Sequence, residues 1–566
     1  MTVTPDIHPA LPFAVAAALA LVTRGWLRGG VLLAAPVVAA LALLGAEQGT
    51  LRELQVMGLE LVPFRVDSLS LIFGYAFVVG AALSVLFSLR NRDTLEHVAA
   101  QLYVGSAVGV LFAGDLLTLF VCWEIMGLSS VFLIWANRSA AAVAAGIRYL
   151  LFQVLSGVLL MAGAIWFWLE TGNLEFIAMG LDGPGTWLIF LAFGIKAGFP
   201  LLHNWITDGY PSGTATGSVY LCIFTTKAAV YTLARGFPGT EVLIYIGITM
   251  AFFPIFFAVI ENNLRRVLSY SIINQIGFMV VGVGIGTELS LNGTAAHAFS
   301  HIIYKALLFM SMGAVLMQAG TIKASELGGL YRRMPYTATF CIIGAVSISA
   351  FPLFSGFISK AMVMSAVLKE GYVLPWLVLL FASAGVLEHA GIKIPYFGFF
   401  ARHGNPQARE APFNMLAAMG IAAALCIGIG VRPDLLYALL PYATDYDPYD
   451  LTHLLTQAQL LFFAVLAFVW LNRMGFYPAE QRATNLDVEW LWRRALPRVA
   501  RSVAGGLAAL RDGLGTRAAA AMPADGVRPE RLSPALVRQW PIGSMVLWVA
   551  LFLALMLIAG LFTVAR

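Results

Sequence analysis

Apolar runs long enough to cross a membrane recur along almost the whole chain, from Leu11 to Val564. A helix needs roughly 17 to 25 mostly apolar residues to cross a ~30 Å hydrocarbon core. In lipid every backbone N–H and C=O must be bonded inside the protein, so only helices and closed barrels can span it. Strand-like alternation of period two is not evident, and the runs predict an all-α polytopic membrane protein. Composition agrees, since 60% of the 566 residues are hydrophobic and 11% are charged, far from the usage of soluble domains.

We read about sixteen transmembrane helices, at 9–23, 29–46, 67–90, 96–113, 115–135, 143–170, 184–208, 214–236, 241–259, 265–287, 292–318, 338–367, 374–400, 412–431, 457–475 and 542–563. The start "MTVTPDIHPALPF" has no basic n-region, so the first run is expected to be a retained span. Cys122, Cys222, Cys341 and Cys426 fall singly in apolar runs with no C-x-x-C, which argues against a disulfide framework and against Zn or Fe–S sites. The net charge of +5 comes largely from arginines flanking the spans, a topological signal that does not imply nucleic acid.

Threading the spans with the N-terminus outside collects Arg24, Arg28, Arg90, Arg92, Arg138, Arg265, Arg266, Lys323, Arg332, Arg333, Arg402, Arg409, Arg473 and Arg482 on one side. By the positive-inside rule that side is the cytoplasmic face of the cell (inner) membrane. The opposite loops gather Asp434, Asp445, Asp447 and Asp450. Beyond Asn485, Leu496, Val499, Val503, Leu507, Leu510 and Leu514 follow helical spacing with arginines among them. The segment 486–515 therefore reads as an amphipathic helix lying on the cytoplasmic side of the bilayer. A disordered linker is the competing reading, because Pro497, Gly505 and Gly506 weaken helix propensity.

Two spans carry a proline close to a lysine: "GIKAGFPLLHNW" with Lys196 and Pro200, and "FPLFSGFISK" with Pro352 and Lys360. Proline opens the helix ladder, and at membrane depth the break survives only where protein or a water-filled cavity satisfies it. Inverted-repeat transporters put discontinuous helices at corresponding positions of their halves. We therefore expect two inverted five-helix repeats, spans 4 to 8 and 9 to 13, each containing a broken helix. The expected domains are N-terminal spans (1–95), first repeat (96–236), second repeat (237–402), C-terminal spans (403–482), amphipathic segment and linker (483–540) and a final span (541–566).

Charged side chains at bilayer depth cost at least ~2.5–3.5 kcal/mol each on insertion scales, so each is a functional hypothesis. The series is Glu124, Lys196, Lys227, His297, His301, Lys305, Lys360, Glu388, His389 and Lys393. In "HAFSHIIYK" the two histidines and Lys305 are four residues apart and share one helix stripe. A proton relay needs this chemistry: histidine passes protons in both directions, and a carboxylate moving relative to a buried lysine switches it between holding and releasing a proton. The competing readings are snorkelling for Lys360, Lys369 and Lys393, satisfaction of freed carbonyls for His203, a local pair of Glu388 and His389 with Lys393, and an interfacial Arg148. No phosphate-cradling Gly-Lys loop, dinucleotide fingerprint or haem or Fe–S ligand set is visible. No cofactor or metal is therefore expected, and any redox or ATP chemistry belongs to another chain.

The motifs "FVCWEIMGLSSVFLI", "GIKAGFPLLHNWITDGYPSGTATGS", "TTKAAVYTLAR", "NNLRRVLSYSIINQIGFM", "HAFSHIIYKALLFMSMGAV", "LGGLYRRMP" and "FPLFSGFISKAMV" together resemble the antiporter-like subunits shared by respiratory complex I, Mrp-type cation/proton antiporters and membrane-bound hydrogenases. The resemblance runs over about residues 60–400. It implies that Glu124 is the family's membrane glutamate and Lys196 its partner on the broken seventh helix. It also implies that Lys227, His301 and Lys305 form the central hydrophilic axis, that Lys360 is the exit-side lysine of the broken twelfth helix, and that His297 matches the first histidine of the distal complex I subunit. The chain departs from the pattern in three places: Thr207 stands where proline is usual, "LEHAGIKIPYF" replaces a tyrosine and an arginine, and Lys227 is more similar to the D-type Mrp subunit than to the distal complex I subunit.

The expected function is proton translocation within a multisubunit complex, most similar to the D-type subunit of an Mrp-type Na+/H+ or K+/H+ antiporter. The implied partners are other membrane subunits, protons, Na+ or K+, and the lipid bilayer. The alternatives are a proton-pumping subunit of a complex I-like or hydrogenase-like enzyme, a gating scaffold of an inorganic-carbon uptake complex, and a lone symporter.

Overall fold

The computed structural model describes residues 7–506 except 57, 402–406, 477–479, 482 and 484. The expected last span, 542–563, and the end of the segment 486–515 lie outside the described residues. The chain falls into two units, one ending at Val488 and one beginning at Glu489. Each described expected span coincides with one or two helices. Among the described residues, eleven helices are long and apolar enough to cross a membrane.

The first four helices are α1 (Leu11–Val22), α2 (Gly25–Leu44), α3 (Ser68–Ser88) and α4 (Thr94–Phe112). They are followed by α5 (Leu116–Trp135), α6 (Ala140–Thr171), α7 (Pro184–Ala197) and α8 (Asn204–Ser212). Then come α9 (Gly217–Ile223), α10 (Thr225–Gly236), α11 (Val242–Ile260) and α12 (Leu264–Ile285). The series continues with α13 (Glu288–Ala319), α14 (Pro335–Ile348), α15 (Ser355–Lys369) and α16 (Val373–Val386). Helix α16 runs on through wide π turns at Leu387–Ile392 and Tyr396–Phe400, and the helices Phe413–Val431 and Leu451–Arg473 follow. Several helices start where short polar side chains can accept their first backbone N–H groups. Asp67, Asp93, Asp115, Ser139 and Asn263 do so for α3, α4, α5, α6 and α12.

Helix α12 is almost wholly buried and α4 and α13 are mostly buried, whereas α6 and Leu451–Arg473 are largely exposed. Lipid supplies no hydrophobic drive between helices, so they associate by close packing at small residues. A Cβ on Gly277 of α12 would sit 2.6 Å from the Gly247 carbonyl oxygen of α11. Only glycine lets those two backbones approach so closely.

Two features correct the sequence reading. Strands occur: β1 (Leu51–Val56) and β2 (Leu59–Arg65) pair antiparallel, with a register irregularity between Arg52 and Leu54. The hairpin lies between α2 and α3, outside any span-length run, and its alternation is masked by Pro63 and the irregularity. Its docking is explicit, because the Val62 N–H donates to Asp115 at 2.8 Å while the same carboxylate caps α5. Second, the span 214–236, expected to be continuous, is split at Phe224, whereas the breaks expected within 184–208 and 338–367 are present. In the second unit residues 489–506 are helical, with π geometry at Leu491–Ala495.

Both proline breaks use left-handed backbone. At the first, Gly198 has φ 84° and Leu201 φ 71°; at the second, Ala350 has φ 58° and Leu353 φ 71°. Leucine and alanine in that region cost about 1–2 kcal/mol each, a strain held only where the surroundings fix the turn.

Candidate functional site

Helix α7 ends just after Lys196, one turn before Pro200. The lysine is fully buried, and its ammonium donates to the Trp123 carbonyl oxygen at 2.6 Å and lies 4.3 Å from the Trp123 ring centroid. Trp123 is fixed in turn, since its indole N–H donates to Ser156 of α6 at 2.9 Å and Ser156 donates to the Ala192 carbonyl of α7 at 2.7 Å. Glu124, the next residue, is half-buried against Gly157, where an added Cβ would collide with its Oε1. Among the described residues, no ion pair within 4.0 Å joins Glu124 to Lys196, and the lysine's hydrogen bond goes to a neutral carbonyl.

The junction at Phe224 between α9 and α10 exposes the Cys222 carbonyl, and buried Lys227 turns back to donate to it at 2.6 Å. On α13, Lys305 donates to Ser271 of α12 at 2.9 Å. The expected stripe is present: the His297 and His301 rings lie 6.3 Å apart, and His301 meets Tyr304 edge-on at 5.3 Å. Tyr304 donates to Gln275 at 3.1 Å, and Gln275 to Asn274 at 2.7 Å. His297 Nδ1 lies 3.1 Å from the hydroxyl of Ser359, the residue before Lys360. Lys360 itself donates to the Ile348 carbonyl at 3.2 Å, the end of α14 at the second break.

Burial decides several of the competing readings. Lys360 is 3% exposed and Lys393 0%, so neither snorkels. Lys393 pairs with Glu480 at 2.8 Å. His389 is buried and Glu388 half-buried on the π-helical stretch. His203 does not satisfy freed carbonyls as one reading expected. Its Nε2 meets Asp487 at 3.0 Å, and Arg148 pairs with Asp208 at 2.6 Å.

Sequence-predicted and unpredicted residues together complete the polar interior. Among the described residues, both ring nitrogens of His301, Nε2 of His297, Oγ of Ser300, Oγ1 of Thr226 and the amides of Gln101 and Gln153 are buried with no hydrogen-bond partner. Neutral polar residues in a span cost less than charges and stand out less in a hydropathy reading, which is why Gln101, Gln153 and Thr226 carry no signal there. A cavity of about 1080 Å³ lined by Arg24, Arg28, Arg90, Arg92 and His97 touches none of these axis residues and is not this site. Among the described residues no His, Cys, Asp and Glu group could hold a metal ion.

Residues 113–388 match the family model described as NADH:quinone oxidoreductase/Mrp antiporter, TM. The chain is 30% identical over 366 residues to the D subunit of the Na(+)/H(+) antiporter of Alkalihalophilus pseudofirmus, covering 60% of this chain and 73% of that protein. It is 27% identical over 416 residues to hydrogenase-4 component B of Escherichia coli, covering 65% of this chain and 62% of that one. A chain in the solved Mrp complex of Dietzia sp. DQ12-45-1b shares the fold, with TM-score 0.66 and 21% identity over 80% of this chain and 93% of that chain.

Proposed function

The chain belongs to the NADH:quinone oxidoreductase/Mrp antiporter membrane family, and from that premise we propose that it is the proton-translocating D-type subunit of an Mrp-type Na+/H+ or K+/H+ antiporter complex. The observation that carries the reading is the burial of Lys196, Lys227, His301, Lys305 and Lys360, together with buried polar atoms that have no partner among the described residues. Buried polar atoms are satisfied by protein groups or by water, so such a set supports a hydrated path among these side chains. A proton enters at Glu124 and Lys196, shifts through Lys227, His301 and Lys305, and leaves near Lys360. Separation of Glu124 from Lys196 supports a switching role, because the pair has a contact still to make.

Two inverted repeats are part of the proposal. The Gly198-Phe-Pro-Leu201 and Ala350-Phe-Pro-Leu353 breaks, with positive φ at both outer residues of each, support it. The N-terminus outside and the arginine-rich loops inside are the orientation that the charge distribution favours. A second reading, a pumping subunit of a complex I-like or hydrogenase-like enzyme, is supported by the similarity to hydrogenase-4 component B.

The test is proton flux in vesicles carrying the assembled complex. Lys196→Ala and Lys305→Ala should each lower flux at least about tenfold, equivalent to ~1.4 kcal/mol in the barrier. Wild-type flux in both variants would sink the reading. Identifying the subunits that co-purify separates the two readings, since redox subunits appear only under the second.

A further inference from the structure

The first break carries a carboxylate that arrives from far along the chain. Asp487, fourteen positions beyond Arg473, has a side chain 1% exposed. It accepts hydrogen bonds from Asn204 Nδ2 at 2.5 Å and the Tyr270 hydroxyl at 2.7 Å, and it meets His203 Nε2 at 3.0 Å. All three partners flank the broken helix or face it from α12. His203 stands at the start of α8, three residues after Pro200, with its ring 4.7 Å from that of Phe253. Its other nitrogen, Nδ1, is buried with no hydrogen-bond partner among the described residues, and the same holds for Asn204 Oδ1.

We propose that Asp487 and His203 form a proton-transfer pair at the first break, an assignment that rests on the proton-translocating reading above. Taking a carboxylate out of water costs several kcal/mol, and neutral hydrogen-bonding residues would tie the segment to the break without that cost. A carboxylate beside a histidine offers in return a place where a proton can be held and passed on. An imidazole with one nitrogen on a carboxylate and the other buried without a partner among the described residues is suited to relay. In the step, a proton on Asp487 Oδ2 moves to His203 Nε2, leaving a carboxylate and an imidazolium. The Nδ1–H proton then passes to water of the path, leaving neutral imidazole in the other tautomer. Proton and charge are conserved at each transfer. The route onward is short in sequence: Tyr270, which holds Asp487, precedes Ser271, which holds Lys305. On the other side, Trp205 of α8 donates to the Ile195 carbonyl at 2.8 Å, beside Lys196.

The experiment uses the assembled complex in membrane vesicles, comparing D487N, D487E and H203Q with K196A for proton flux, with co-purified subunits measured in each. Expected are a loss of flux of about tenfold or more in D487N and H203Q, with subunits retained, and recovery of at least about half the flux in D487E, which restores a carboxylate at the position. Wild-type flux in D487N beside a K196A loss overturns the relay and leaves the translocation reading standing. Equal loss of subunits in D487N and D487E overturns it in favour of a purely structural tie. Wild-type flux in both D487N and K196A overturns the relay together with the reading on which it rests.

Discussion

At the first break Phe199 and Pro200 lie between Gly198 and Leu201; at the second Phe351 and Pro352 lie between Ala350 and Leu353, with closely similar positive φ angles. The two turns are fastened differently. The first is held by groups other than its lysine: Trp205 on the Ile195 carbonyl, and Asp487 on His203, Asn204 and Tyr270. Lys196 leaves its own break and bonds to Trp123 on α5. At the second break Lys360 itself takes the Ile348 carbonyl, and the remaining ties are neutral: Ser347 to Ser355 at 3.1 Å and the Gln457 amide to the Ser349 carbonyl at 3.4 Å. Lys196 is thus tied to a neighbouring helix, whereas Lys360 closes its own break. On the proposed translocation reading, Lys196 is the charge that moves and Lys360 the one that stays anchored.

Removing each charge is the largest test. Lys196→Ala should abolish most flux while the complex still assembles. Lys360→Ala should lower both, since it also strips the Ile348 carbonyl of its donor at a cost of ~1–3 kcal/mol for a buried group. Flux and the yield of co-purified subunits, measured on the same membranes, decide it. Equal yields from the two variants would break the comparison.

The next effect sharpens the same contrast in the backbone. A Cβ on Gly356 would collide with the Ser347 carbonyl oxygen, a backbone atom across the second break, whereas a Cβ on Gly198 would meet the tip of Ile206 at 2.7 Å. Gly356→Ala must therefore displace main chain and should cost more than the ~1–3 kcal/mol typical of overpacking. Gly198→Ala adds about 1–2 kcal/mol of left-handed strain to a yielding side-chain contact. Thermal inactivation of the purified complex should rank Gly356→Ala as the less stable of the two.

How much of this is legible in the sequence varies with the physical constraint. Lipid allows few backbone forms, so helical spans are readable from Leu11 to Arg473, and charges there are conspicuous because burial is expensive. Proline marks both breaks, and i, i+4 spacing gives the His297, His301 and Lys305 face. The hairpin Leu51–Arg65 is lost because no lipid constraint acts on a polar connection. Asp487 and Glu480 are lost for a related reason: in a polar stretch after the last described span a carboxylate is ordinary, and only the fold carries it back to His203 or Lys393. The left-handed Ala350 cannot be anticipated either, since alanine carries no turn preference.

The smallest expected effect tests whether the shared backbone of the two breaks is stored strain or simply tolerated. Leu201 and Leu353 both sit at φ 71° and are 58% and 55% exposed, so little apolar burial is lost on truncation. Glycine relieves about 1–2 kcal/mol of left-handed strain and adds roughly 0.5–1 kcal/mol of unfolded-state entropy. The two nearly cancel, and Leu201→Gly and Leu353→Gly should each change thermal stability by less than about 1 kcal/mol, close to the range of ordinary surface substitutions. Flux separates the halves where stability does not. If the first break must flex while Lys196 moves, Leu201→Gly alters flux and Leu353→Gly does not, because the second turn is held by its own lysine. Equal flux changes in the two variants would mean that both turns move, and the division between a mobile and an anchored charge would have to be abandoned.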